Sequence, residues 1–170
     1  PFFDSCTKES QINMYSGWNL DWEPTGSDVT VEDGINYAKF IDAFAKNLHL
    51  QGQTLSVDVA TWSPIWNYTA ISNTRVDQMI SMGTYTSDDP SYVNQLQLLV
   101  NAAGVRADVG LETVNATDGT AIPYDEVLFR FDKLQDAGVN FVALWRSPVP
   151  ATFWEAIRSW VYPSSNEFLN

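Results

Sequence analysis

Ser16-Gly17-Trp18-Asn19-Leu20-Asp21-Trp22-Glu23-Pro24 carries two alternating rows of opposite character. An extended strand has a side-chain period of two. Asn19, Asp21 and Glu23 are therefore expected on one face, and Trp18, Leu20 and Trp22 on the other, against helices. The polar row climbs toward the C-terminal end of the strand, where parallel α/β proteins build their sites. Closely set carboxylates repel, so one of such a pair is pushed to keep a proton. Glu23, at the strand end, is the candidate general acid. The competing reading is an edge strand with a solvated polar face, but Trp22 and Pro24 suit a strand-end site better.

Outward from this stretch, short apolar runs alternate with helical patterns. Strands are expected over 17–22, 54–61, 76–85, 105–114 and 139–145. Helices are expected over 29–50, from 90 to Gly104, over 124–137 and over 151–162, the last ended by Pro163. Thr30 with Asp33 three residues on is an imperfect capping box. Asp88 or Asp89 can cap the helix that Pro90 opens. Residues 1–15 form an N-terminal extension, 16–162 the domain and 163–170 a tail. Five strands joined through helices imply an α/β fold with a parallel sheet. Periodicity leaves two architectures open: an open flavodoxin-like parallel sheet, or part of a (β/α)8 barrel, which needs about 250 residues when whole. No Gly-x-Gly-x-x-Gly turn follows a strand, so nothing points to a dinucleotide.

Composition narrows the function classes. The chain has 170 residues, 45% of them apolar and 7 of them Trp, enough for a packed core. Its net charge is −12, which disfavours nucleic acid and anionic membrane surfaces as partners. No apolar run is long enough to span a bilayer. One Cys and one His leave no zinc set and no internal disulfide, and no metal or organic cofactor is expected. His49 closes a helix, where it compensates the C-terminal dipole. Sequons at Asn67 and Asn115, with few Lys and a single Cys, suggest a glycosylated protein that is secreted or lysosomal/vacuolar. Cys6 is then an odd thiol, free or paired with a cysteine of another chain.

The row at 16–23 resembles the Asp-Gly-x-Asp-x-Asp-x-Glu signature on the fourth barrel strand of glycoside hydrolase family 18, the chitinases and their relatives. Further matches follow in order. Ser56-Val57-Asp58-Val59-Ala60-Thr61-Trp62-Ser63-Pro64, followed by Asn67-Tyr68-Thr69, looks like the fifth strand and loop of di-N-acetylchitobiase-type members. Met82-Gly83-Thr84-Tyr85 resembles the sixth-strand Met-x-Tyr-Asp motif, and Ala143-Leu144-Trp145 is similar to the eighth strand. The resemblance implies a partial (β/α)8 TIM barrel, strands four to eight. It implies hydrolysis of β-linked N-acetylglucosamine glycans, such as chitin oligomers or the N-glycan core, by substrate-assisted retention. Glu23 would be the acid, Asp21 would orient the 2-acetamido group beside Asn19, Tyr85 would hydrogen-bond that group, and Trp145 would be the sugar floor.

Ser16 and Asn19 stand where the signature has Asp, the Met-x-Tyr spacing carries one additional residue, and Thr86 replaces an Asp or Asn. These departures equally suit a catalytically inactive, glycan-binding or structural relative. Asp58, mid-strand, is a candidate substrate contact facing the interior near Asp21, or else a core acid. Glu112 and Arg146 could touch sugar hydroxyls, with a mutual ion pair as the alternative; Trp62 and Trp66 could extend a glycan platform, with loop lining as the alternative. The first 15 residues are too short for three strands. A second chain or precursor fragment completing the barrel is therefore expected, with Cys6 as its tether.

Overall fold

The computed structural model describes residues 2–162 apart from 25, 27 and 87; Pro163 and the tail 163–170 lie outside the described residues. In chain order the elements are α1 (Phe2–Asn13), β1 (Gly17–Leu20), α2 (Val31–His49), β2 (Thr54–Val59), α3 (Tyr68–Ser72) and β3 (Gln78–Ser81). A 3-10 turn over Gly83–Tyr85 leads to α4 (Asp89–Ala103), and a second over Gly104–Arg106 leads to β4 (Ala107–Glu112). Then come α5 (Tyr124–Asp136), β5 (Val142–Trp145) and α6 (Ala151–Val161).

All strand pairs are parallel, in the spatial order β1-β2-β3-β4-β5. That order decides between the two architectures. A flavodoxin-like sheet reverses direction after its first strand, which creates its switch point. Here the order never reverses, and the sheet curls into a half-barrel with flanking helices. The open flavodoxin-like alternative is thereby excluded, and the fold is a partial TIM barrel.

Alternation within each strand sets the two faces. Leu55, Val57 and Val59 of β2, Met79 of β3, and Val109 and Leu111 of β4 are at most 1% exposed. They pack into the core that the helices complete with Ile41, Phe44, Leu48, Leu99, Leu134 and Phe153. In register across the other, concave face run Asn19↔Ser56, Asp58↔Ile80↔Asp108 and Glu112↔Trp145. Burial of the first set drives folding at about 25 cal/mol per Å²; the second set is left for chemistry.

Local signals explain the helices. Thr30 and Asp33 complete a reciprocal capping box at α2, and His49 at its last position meets Asp77 at 2.9 Å. Asp88 caps α4, with Pro in its first turn. Several boundaries differ from expectation. β1 stops at Leu20, so Asp21 and Glu23 sit on irregular backbone just past its end rather than within a strand. The run 76–85 yields only four strand residues, and Tyr85 lies on the following 3-10 turn. The extension contains α1, whose Ser10 hydroxyl accepts from Trp18 Nε1 at 2.6 Å and so fastens α1 to β1. Cys6 is buried in the core, where desolvation raises its thiol pKa.

Candidate active site at the mouth of the half-barrel

The C-terminal ends of the strands form one mouth. β1 delivers Asn19, whose side chain bridges to β2: its Nδ2 donates to Asp58 Oδ2 at 3.0 Å, and its Oδ1 accepts from Ser56 Oγ at 2.7 Å. Asp58 faces the interior as expected, but it is 5% exposed, and its other oxygen is buried without a partner. Burial pushes its pKa up to about 6; the Asn19 hydrogen bond opposes this, and the charges of Asp21 and Glu23 add to it. Asp21 and Glu23 are exposed beyond the strand end.

A second wall comes from β3, β4 and β5. Trp145 lies across β4 at Gly110, where an added Cβ would sit 2.1 Å from its indole. Only a residue without a side chain permits that approach, and the mid-strand glycine is its signal in the sequence. The Tyr85 ring stacks on Trp145, with centroids 5.6 Å apart and planes 9° from parallel. Burial raises the Tyr85 pKa; Glu112 adds to the rise, Arg146 opposes it, and Glu23 and Asp21 add smaller contributions. Tyr85 is therefore in electrostatic reach of both walls, and the mouth gathers Asp21, Glu23, Tyr85, Glu112, Arg146 and Trp145.

Glu112 is 8% exposed, and its Oε2 accepts from the Ala116 backbone at 3.0 Å. Its pKa is raised by burial against the opposing Ala116 hydrogen bond and the Arg130 and Arg146 charges. Among the described residues Glu112 and Arg146 form no salt bridge, so the expected mutual ion pair is corrected. Arg146 instead takes a positive φ of 81°, a conformation that bulky residues adopt rarely and mostly at functional turns. Thr113 Oγ1 donates to the Trp145 and Arg146 carbonyls at 3.0 and 3.2 Å, which fixes that turn.

Trp62 and Trp66 separate. Trp66 is 4% exposed and forms part of the core beneath the loop, so it lines the loop and offers no platform. Trp62 is 52% exposed and shares a cleft of about 430 Å³ with Glu23, Pro24 and Ser63. The sequon residues lie elsewhere. Asn67 caps α3, accepting from Ala70 N at 2.9 Å, and Asn115 accepts from Thr117 N at 2.8 Å in the loop after β4.

One structural support of the site has no motif in the sequence. Arg130 on α5 is 5% exposed and donates to Thr84 O and Thr84 Oγ1, while its other nitrogen meets Glu126. Thr84 Oγ1 in turn accepts from Glu112 N at 3.0 Å. The turn that carries Tyr85 is thus bolted to α5 and β4. The signal was an arginine amid the apolar stripe of α5, beside Val127, Phe131 and Leu134. Among the described residues no cluster of His, Cys, Asp and Glu could hold a metal, and no helix is long and apolar enough to cross a membrane.

No protein-family model matches the chain, and no curated protein sequence matches it. Solved structures do match in fold. A chitinase from Chromobacterium violaceum aligns over 95% of this chain and 71% of its own, at 15% identity and TM-score 0.77. A chitinase-like agglutinin from Robinia pseudoacacia aligns over 93% and 71%, at 16% identity and TM-score 0.73. The spore cortex-lytic enzyme of Bacillus megaterium aligns over 92% of this chain and 51% of its own, at 12% identity and TM-score 0.75. At such identities the likeness is one of fold: a partial barrel of the kind found in chitinases and chitinase-like glycoside hydrolases of the family 18 type.

Proposed function

We propose that this chain is a glycosidase acting on β-linked N-acetylglucosamine glycans, chitin oligomers or the N-glycan core, with net retention. The observation that carries this reading is the convergence at one mouth of Asp21, Glu23, Tyr85 and Trp145, with the field of both acids felt at the Tyr85 hydroxyl. In the proposed reaction Glu23 donates its proton to the leaving glycosidic oxygen. The 2-acetamido oxygen of the sugar attacks the anomeric carbon and forms an oxazolinium ion, so no enzyme nucleophile is needed. Glu23 then takes a proton from the water that opens this ion. Asp21 orients the acetamido N–H and stabilises the positive charge, and Tyr85 hydrogen-bonds the acetamido group during attack. Trp145 is the floor under the sugar, and Trp62 and Glu112 are further contacts, Trp62 in the cleft beside Glu23.

Two further proposals attach to this one. The outer edges of β1 and β5 are unpaired among the described strands. Such edges favour association, which supports a second chain or a precursor fragment completing the barrel. The sequons support a glycosylated protein, secreted or lysosomal/vacuolar.

Turnover of a fluorogenic chitobioside tests the main reading. The wild type is expected to release the fluorophore, and Glu23→Gln to lower kcat by about two to four orders of magnitude with the fold intact. Equal turnover by that variant would remove Glu23 from the mechanism. A second reading, a glycan binder that does not cleave, is favoured by Asn19 in place of an acid and by the fold shared with an agglutinin. Saturable chitobiose binding without turnover by the wild type would establish it.

A further inference from the structure

The hydrogen bonds of Asn19 lead across the sheet, not along its own strand. Both run to β2, one to Ser56 and one to Asp58. Asn19 has the amide geometry to hold a carboxylate but no charge of its own. Asp58 has the charge, and it is 5% exposed with Oδ1 buried and unpartnered. A buried carboxylate with an orphan oxygen is costly unless the site uses it. With so little surface, and with one oxygen on Asn19, Asp58 has little to offer a sugar hydroxyl.

We propose that Asp58 is a positioning residue of this site: it fixes the Asn19 amide and places, from the neighbouring strand, the negative charge that Asn19 cannot carry beside Asp21 and Glu23. The acid of the strand-end row is thereby moved one strand sideways.

The surroundings of Asp58 are compatible with that role. From β1 it faces Asn19, with Asp21 and Glu23 beyond the strand end; from α2 the buried Tyr37 hydroxyl lies within its field. On its own strand the neighbour is Ser56; level with it on β3 is Ile80, and on β4 the next buried acid, Asp108. No cation pairs with it among the described residues. A carboxyl so placed feels its acidic neighbours: on top of burial, the charges of Asp21 and Glu23 raise the Asp58 pKa.

The kinetic part of this proposal rests on the glycosidase reading; the coupling part does not. Carboxyl carbon NMR of the full chain, selectively labelled at Asp, reads the coupling directly. Asp58 is expected to titrate near pH 6 in the wild type. Asp21→Asn should lower its midpoint by about half a pH unit. Asn19→Ala, which removes the donor, should raise it. A midpoint in the ordinary carboxylate range, or one that ignores both variants, overturns the proposal. Two single-site variants on exposed positions guard against the case in which one fails to fold.

In turnover assays Asp58→Asn removes the charge and keeps the shape. The alkaline limb of its kcat profile should move down by about half a pH unit, with KM within about twofold. An unmoved limb in an active enzyme also overturns the proposal. A wild type without turnover fails the glycosidase reading alone, and the titration still decides this one.

Discussion

The two faces of the same five strands obey different rules. On the convex face Leu55, Val57, Val59, Met79 and Leu111 are closed off by helices and are 0–1% exposed. On the concave face, one residue along in each strand, stand Ser56, Asp58, Asp108 and Glu112. Packing accounts for the first face completely. The second carries carboxyl groups whose burial is incompletely compensated: Asp58 and Asp108 both have pKa values pushed up to about 6, with desolvation as the leading cause. Stability is concentrated on one side of the sheet, and the capacity for acid chemistry on the other.

Cutting into the convex face should do most damage. Leu111→Ala leaves a cavity where nothing is exposed and is expected to cost about 3 kcal/mol in urea unfolding. Ile80→Ala, on the concave face of the adjacent strand, should cost under about 1 kcal/mol. Equal losses would erase the distinction between the faces. Arg130 is the exception on the helical side, a buried charge tied to Thr84 and Glu126. Arg130→Met should cost about 2 kcal/mol by leaving the buried Thr84 carbonyl without the guanidinium donor. It should also weaken chitobioside turnover by releasing the Tyr85 turn; full stability with full activity would show that the turn needs no bolt.

The acids invert the usual pH dependence. Asp108 is 4% exposed and binds its proton more tightly in the folded state than at its ordinary value of 3.8. The stability it contributes is therefore fully present below about pH 4 and is lost as pH rises through about 6. Asp108→Asn should be more stable than the wild type by about 2 kcal/mol at pH 7.5 and close to equal at pH 3.5. Denaturant melts at the two pH values check this, and a gain that does not depend on pH would assign the effect to packing. The smallest effect belongs to the rim. Trp62→Ala should raise KM about threefold, a loss of uniform binding, with stability within about 0.5 kcal/mol of the wild type.

These contrasts also mark what could be read from the sequence. Val57-Asp58-Val59 displays the alternation that assigns the faces, and the apolar spacing of α2 and α5 locates the helices that cover one of them. Strand ends were harder. The apolar run around Met82 reads as strand, but Ser81 Oγ accepts from Gly83 N at 3.0 Å and turns the chain, so Tyr85 leaves the sheet. The resemblance carried the order of Asp21, Glu23, Tyr85 and Trp145 along the barrel. It could not supply the Asn19–Asp58 bond, which joins residues 39 apart and exists only because Asn19 pairs with Ser56 in register. Nor could it reveal that Cys6 is buried, since α1 has only a weak apolar stripe and gains its place from contacts with α2 and Trp18.

On the proposed reading, the acids at this mouth cleave a glycan with the substrate's own acetamide as nucleophile. Proton NMR of the first-formed anomer from a chitin oligosaccharide tests it most directly, run beside a matched glucoside that lacks the 2-acetamido group. The β-anomer is expected first, with no measurable cleavage of the glucoside. An inverted first product, or equal rates on both substrates, would contradict it.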